Sequence, residues 1–241
     1  MSPLWGKGWS SVLIIATLMG PVGVVHSAAT QAETCRAATT FATNLGLMRG
    51  HLLVAAELFE AGHIELAQRH SKHPAEEVYQ ELLPGLVQFG VPGFATELGA
   101  FADVLAAGEQ GRELFSNRYV QLMQTMNAIE DRLPLGVRQQ QHIAFALVSQ
   151  AAVEYAVGVA EDGLVTDMQE YQDAYGFVTV AKGKVVDEAA VGTGNLTRAF
   201  TAALRLWPAL MPQQPVAMES DDLTQLVVLM RQLGMAAPAC D

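Results

Sequence analysis

Four of the six histidines, His51, His63, His70 and His73, fall in one stretch of the first third of the chain, with Glu57, Glu60, Glu76 and Glu77 among them. Imidazole and carboxylate donors brought together are suitable ligands for Zn, Cu(II), Ni or Fe, and a buried His and carboxylate can also serve as acid and base. His70 and His73 are three residues apart, and Glu77 follows His73 by four. The spacing predicts a metal-ligand set drawn from His51, His70, His73, Glu76 and Glu77. A plainer reading competes with it. Glu76 and Glu77 open the helix started by Pro74, where the helix dipole favours carboxylates, and Arg69 and His70 close the helix before it, where cations are favoured.

Helical geometry places these groups. At 100° per residue, Leu47, Met48, Val54, Ala55 and Leu58 lie within about 60° of His51, so His51 points into an apolar face. A buried imidazole needs a partner. The segment Glu170-Tyr-Gln-Asp173-Ala-Tyr-Gly-Phe-Val178 offers one. Tyr171, Tyr175 and Asp173 are predicted to line a ligand pocket. The partner of His51 is expected to be a backbone carbonyl, a tyrosine, a carboxylate from another helix or a metal, with Tyr171 or Tyr175 the first pairing to test. A polar stripe of Gln150, Glu154 and Glu161 reads as a solvated face or as a groove for a cation or peptide. Met123 and Met126 read as core fillers, or less specifically as thioether ligands for copper.

Motifs that would assign a reaction are missing. There is no HExxH, GxSxG or P-loop. A ferritin-like di-iron bundle needs two Glu-x-x-His pairs, and Glu60 with His63 is the only one, interrupted by Gly62. No catalytic residue is assigned.

The elements that position these groups are read as helices at 34–61, 64–71, 74–83, 94–107, 111–131, 135–162, 165–190, 195–207 and 221–233. Ala, Leu, Glu and Gln dominate, and Gly and Pro punctuate. Gly62, His73-Pro74, Leu133-Pro134, Asp162-Gly163 and Gly234 mark boundaries, and Pro84-Gly85 is expected to kink or stop its helix. The least regular stretch is 165–190, where Gly176, Gly183 and several valines point to a break or a short hairpin. The fold class is all-α, a multi-helix bundle of antiparallel helices. Glu60-Ala-Gly62-His-Ile64 and Glu161-Asp-Gly163-Leu-Val165 echo one another at an offset of 101, through duplication or through a shared way of ending helices.

The N-terminus carries Lys7, then the apolar run Val12–Met19, then Gly20-Pro21 and small residues through Ala29. That is the pattern of a secretory signal peptide over residues 1–28, with cleavage near 27–29, leaving 29–241 as a single helical domain. The apolar run is too short to span a bilayer, so no transmembrane segment is expected in the mature chain. The expected location is periplasmic or secreted. The only cysteines, Cys35 and Cys240, stand near the two ends of the mature chain, and outside the cytosol such a pair forms a disulfide.

The net charge is −11, charged residues make up 16% of the chain and apolar residues 51%. The scattered arginines form no stripe able to track phosphates, which excludes nucleic acid as a partner. The sequence therefore predicts an exported, non-catalytic bundle that binds a transition metal ion (Zn, Cu or Fe) or a small ligand, with an envelope protein as a possible partner. The alternative is an envelope interaction or structural module without ligand chemistry.

Overall fold

The computed structural model describes residues 22–73, 78–185, 193–216 and 221–240, with the side chains of 22–29, His73, Thr193 and Asp221 outside that description. Residues 1–21, the greater part of the expected signal peptide, lie outside the described residues. The described residues form an all-α bundle: α1 (Val22–Glu60), α2 (Ile64–His73), α3 (Tyr79–Gln88), α4 (Ala95–Ala106), α5 (Arg112–Glu130), α6 (Val137–Gly158), α7 (Met168–Val185), α8 (Thr193–Ala203) and α9 (Asp221–Gln232). None of these helices is long and apolar enough to cross a membrane.

The core is organised around α1, α6 and α7, which pack on one another. α1 buries Phe41, Leu45, Met48, Leu52, Ala55 and Phe59, residues that recur every three or four positions and form one apolar stripe. It also meets α2, α3 and α5. α8 and α9 pack on each other, and α9 reaches α6.

Helix ends follow from local chemistry. Gly62 adopts φ 85°, and the His63 amide donates back to the Leu58 carbonyl at 2.8 Å, which closes α1 and turns the chain into α2. Gly163, with φ 80°, makes the corresponding turn between α6 and α7. There the Ala160 amide donates to the Leu164 carbonyl at 2.9 Å, and Val159 pairs with Val165 in a single antiparallel bridge.

Two expectations are corrected. α7 runs unbroken through Gly176, and the short hairpin lies before it, at 159–165. Gly176 is where a neighbouring helix touches, so it packs rather than breaks. Likewise α3 continues through Pro84 to Gln88. There Gly85 lies against the Phe41 ring, and packing holds the helix past the proline.

Cys35 and Cys240 are joined by a disulfide, with their Cα atoms 5.6 Å apart. Arg138 Nη2 donates to the Pro238 carbonyl at 2.9 Å and Gln139 Nε2 to the Ala239 carbonyl at 2.5 Å. The C-terminal tail is thus held against both α1 and the start of α6.

Candidate metal centre

One crossing of helices builds the site. A Cβ added at Gly50 of α1 would lie 2.5 Å from the Phe177 ring and 3.1 Å from the Gly176 carbonyl carbon. A Cβ added at Gly176 of α7 would lie 2.4 Å from the Gly50 oxygen. The two backbones are therefore in contact, which only glycine on both sides permits. His51 follows Gly50 directly, and Asp173 precedes Gly176 by about one turn, so the crossing presses the two side chains together. α2 folds back over α1 after Gly62 and brings His70 to the same point.

His51 Nδ1 lies 2.5 Å from Asp173 Oδ1, and His70 Nδ1 lies 3.0 Å from the same oxygen. All three residues are buried, His70 to 1% exposure. The Phe177 ring meets the His51 ring edge-on at 5.1 Å between centroids. Burial pushes the Asp173 carboxyl upward, but the hydrogen bonds and charges of His51 and His70 outweigh it and hold its pKa below the ordinary aspartate value. Asp173 is therefore a carboxylate.

Gln172 fixes the second nitrogen of His70. Its Nε2 donates to the Leu210 carbonyl at 2.8 Å, so its Oε1 accepts from His70 Nε2–H at 2.7 Å. With Nε2 protonated, the Nδ1 lone pair of a neutral His70 faces the carboxylate oxygen. That contact is repulsive unless a proton or another cation lies between them. A protonated His70 satisfies the contact, and so would a metal ion on Nδ1, in which case the remote N–H would be held by the fixed Gln172 acceptor.

The donor set fits a transition metal. His51, His70 and Asp173 each offer one ligand atom, and these atoms lie within 4.8 Å of one another. Two imidazoles and one carboxylate suit Zn and ferrous iron, and a three-ligand set leaves positions open for water. Bond lengths of about 2.0–2.2 Å place neighbouring tetrahedral ligands about 3.3 Å apart. His51 Nδ1 therefore has to retreat by somewhat under ~1 Å from Asp173 Oδ1 to admit an ion.

A cavity of about 310 Å³ reaches this point, and His51, Asp173, Glu81, Gln150, Glu154 and Glu170 are among the residues lining it. Its walls come from α1, α3, α6 and α7. Glu170 shares a hydrogen bond with Glu154, which with burial and the neighbouring carboxylates pushes the Glu170 pKa up to about 8. Gln150 Nε2 donates to Glu154 Oε1 at 2.5 Å.

The sequence-predicted residues are distributed as follows. His51 and His70 converge. The His73 side chain, Glu76 and Glu77 lie outside the described residues. His51 pairs with Asp173, a carboxylate from another helix and so one of the expected partner classes, and not with Tyr171 or Tyr175, the pairing put first. Tyr171 donates to the Ala209 carbonyl at 3.0 Å and Tyr175 to Glu57 Oε1 at 3.2 Å, and neither lines the cavity that holds Asp173. The reason lies in α7, where Tyr171, Gln172, Asp173 and Ala174 are all buried. A helix covered on every side has no solvent face to which its polar residues can be assigned. Gln150 and Glu154 of the α6 stripe face the cavity, whereas Glu161 is exposed in the turn beyond α6. Met126 is fully buried in the core. Gln172 was missed altogether, although a Gln-Asp pair inside an apolar run was its signal.

Residues 137–236 match the family described as the iron permease-associated 4-helix bundle domain. That stretch holds α6, α7, α8 and α9, and so includes Gln172 and Asp173 but neither His51 nor His70. No curated protein and no solved structure matches the chain.

Proposed function

We propose that this chain is an exported, non-catalytic metal-binding protein that holds one transition-metal ion through His51, His70 and Asp173. The convergence of those three donors in a buried site carries the reading. Ferrous iron is the ion we favour, because the matched family is described as associated with an iron permease and the donor set is one that iron accepts. The cavity beside His51 and Asp173 supplies the route, and its carboxylates favour a cation over an anion. His73, Glu76 and Glu77 remain candidates for a further ligand. Export rests on the signal-like N-terminus and on the disulfide, which an oxidising compartment maintains. An envelope permease is the partner that the family description supports.

The test is titration of metal-free, untagged protein with Fe(II) under anaerobic conditions and with Zn(II), followed by calorimetry and elemental analysis. The account expects one equivalent bound, with binding lost in His51→Ala, His70→Ala and Asp173→Asn. Sub-stoichiometric binding that the three variants leave unchanged would sink it. A structural reading has its own observation, since the three groups already hydrogen-bond one another. It predicts that metal leaves the melting temperature unmoved while each variant lowers it.

A further inference from the structure

We propose that Arg49 and Lys184 form a second site, which binds a small oxyanion bearing one carboxylate or phosphate group. Arg49 stands two residues before His51, so at 100° per residue it leaves α1 on the other side from the metal centre. It faces a cavity of about 330 Å³ between α1, α5 and α7, lined in part by Tyr119, Asn127, Glu130 and Lys184. A second cavity of about 640 Å³ adjoins it and shares Asn127, Glu130 and Lys184.

The Arg49 side chain is only 12% exposed, yet its buried Nε and Nη2 have no hydrogen-bond partner among the described residues. The nearest carboxylate oxygen is Glu130 Oε2, at 3.5 Å from Nη2. Glu130 is already engaged by Lys184 Nζ at 2.5 Å and by Gln140 Nε2 at 3.3 Å. Glu130 thus faces both cations, and Asp131, which lines the adjoining cavity and acts on Arg49, brings the cluster close to neutral, inside a chain of net charge −11. Burial lowers the Arg49 pKa, against the opposing pull of Glu130, Tyr119 and Asp131.

Buried donors are almost always met, and a guanidinium with its fork unused matches a carboxylate or phosphate bidentately. Lys184 adds a point charge, and Tyr119 and Asn127 supply neutral donors on the cavity wall. Because Glu130 and Asp131 already balance the two cations, what an incoming oxyanion meets is the pair of Arg49 donors that Glu130 leaves unused, and a single anionic group matches them. The ligand class is therefore a small carboxylic acid or a singly charged phosphate, and the metal reading above is not needed for it.

The experiment follows the Arg49 Nε–H resonance of the full-length protein by ¹H–¹⁵N NMR. Sodium acetate and inorganic phosphate are titrated at constant ionic strength, with sodium chloride as the control. Arg49→Lys identifies the resonance by removing it, and through-bond assignment of the wild type serves if that variant fails to fold. The proposal expects a saturable shift with acetate or phosphate, absent with chloride, and at least tenfold weaker binding in Lys184→Met. Which of the two anions saturates separates carboxylate from phosphate recognition. A response that is the same in all three salts would overturn the proposal and leave water as the partner of Arg49.

Discussion

Substituting Gly176 by alanine tests the crossing on which the site depends. The new methyl would sit 2.4 Å from the Gly50 oxygen, 2.8 Å from its carbon and 3.0 Å from Val54 Cγ2. Two of those atoms are backbone, so rotamer changes cannot relieve the clash. Restoring ordinary contact parts α1 from α7 by ~1 Å. That movement stretches the 2.5 Å contact between His51 and Asp173 to the limit of a hydrogen bond. Overpacking costs ~1–3 kcal/mol, and weakening a charged hydrogen bond costs ~1.5–3 kcal/mol. Alanine returns up to ~1 kcal/mol of helix propensity. The net loss is ~1.5–5 kcal/mol, which at ~2–4 °C per kcal/mol lowers the melting temperature by roughly 3–20 °C. Gly183 lies further along the same helix with no atom within 4 Å of its would-be Cβ. Gly183→Ala therefore gains up to ~1 kcal/mol, a rise of ~2–4 °C. Thermal melts followed by far-UV circular dichroism, with metal titration of each variant, read both effects. If Gly176→Ala melts at or above the wild type and binds metal equally well, the close crossing does not position the site.

Three further outcomes are expected. Glu170 has a folded pKa of about 8 against an ordinary 4.5, so between those pH values the folded chain holds a proton that the unfolded chain gives up, and stability falls as pH rises through that window. Glu170→Gln removes this loss, so its melting temperature should exceed that of the wild type by more at the alkaline end of the window than at the acid end. Gln172→Leu unties His70 Nε2, and metal affinity measured by competition with a chromophoric chelator should fall by ~10–100-fold. The disulfide closes a loop with a sequence separation of 205 residues, and Cys35→Ser/Cys240→Ser should cost up to roughly 5 kcal/mol in urea denaturation. That double variant should leave metal affinity intact, because the bridge lies apart from His51, His70 and Asp173.

The helices were legible in the sequence because glycine and proline act locally. Gly62 closes α1, the Leu133-Pro134 step precedes α6, and the helices read at 64–71 and 94–107 are found as α2 and α4. Pro84 and Gly176 misled for the opposite reason. Each sits where tertiary packing, against Phe41 near Gly85 and against Gly50 respectively, outweighs a local tendency to break. Burial of His51 was legible from its apolar stripe. Its partner was not, because the stripe argument assumes one wet side and α7 has none near Asp173. The role of His70 needed α2 to fold back over α1, a long-range fact that residue spacing does not encode. Gln172 acquires its meaning only from the segment around Leu210, 38 residues away.

The most direct measurement is anomalous diffraction at the iron and zinc absorption edges, on crystals grown from protein loaded with each ion. The account predicts a single strong peak bonded to His51 Nδ1, His70 Nδ1 and an Asp173 carboxylate oxygen at about 2.0–2.2 Å. The contact between His51 and Asp173 should have lengthened to make room for the ion. A peak elsewhere, or a loaded crystal in which His51 and His70 still share the Asp173 oxygen with no metal between them, would contradict it.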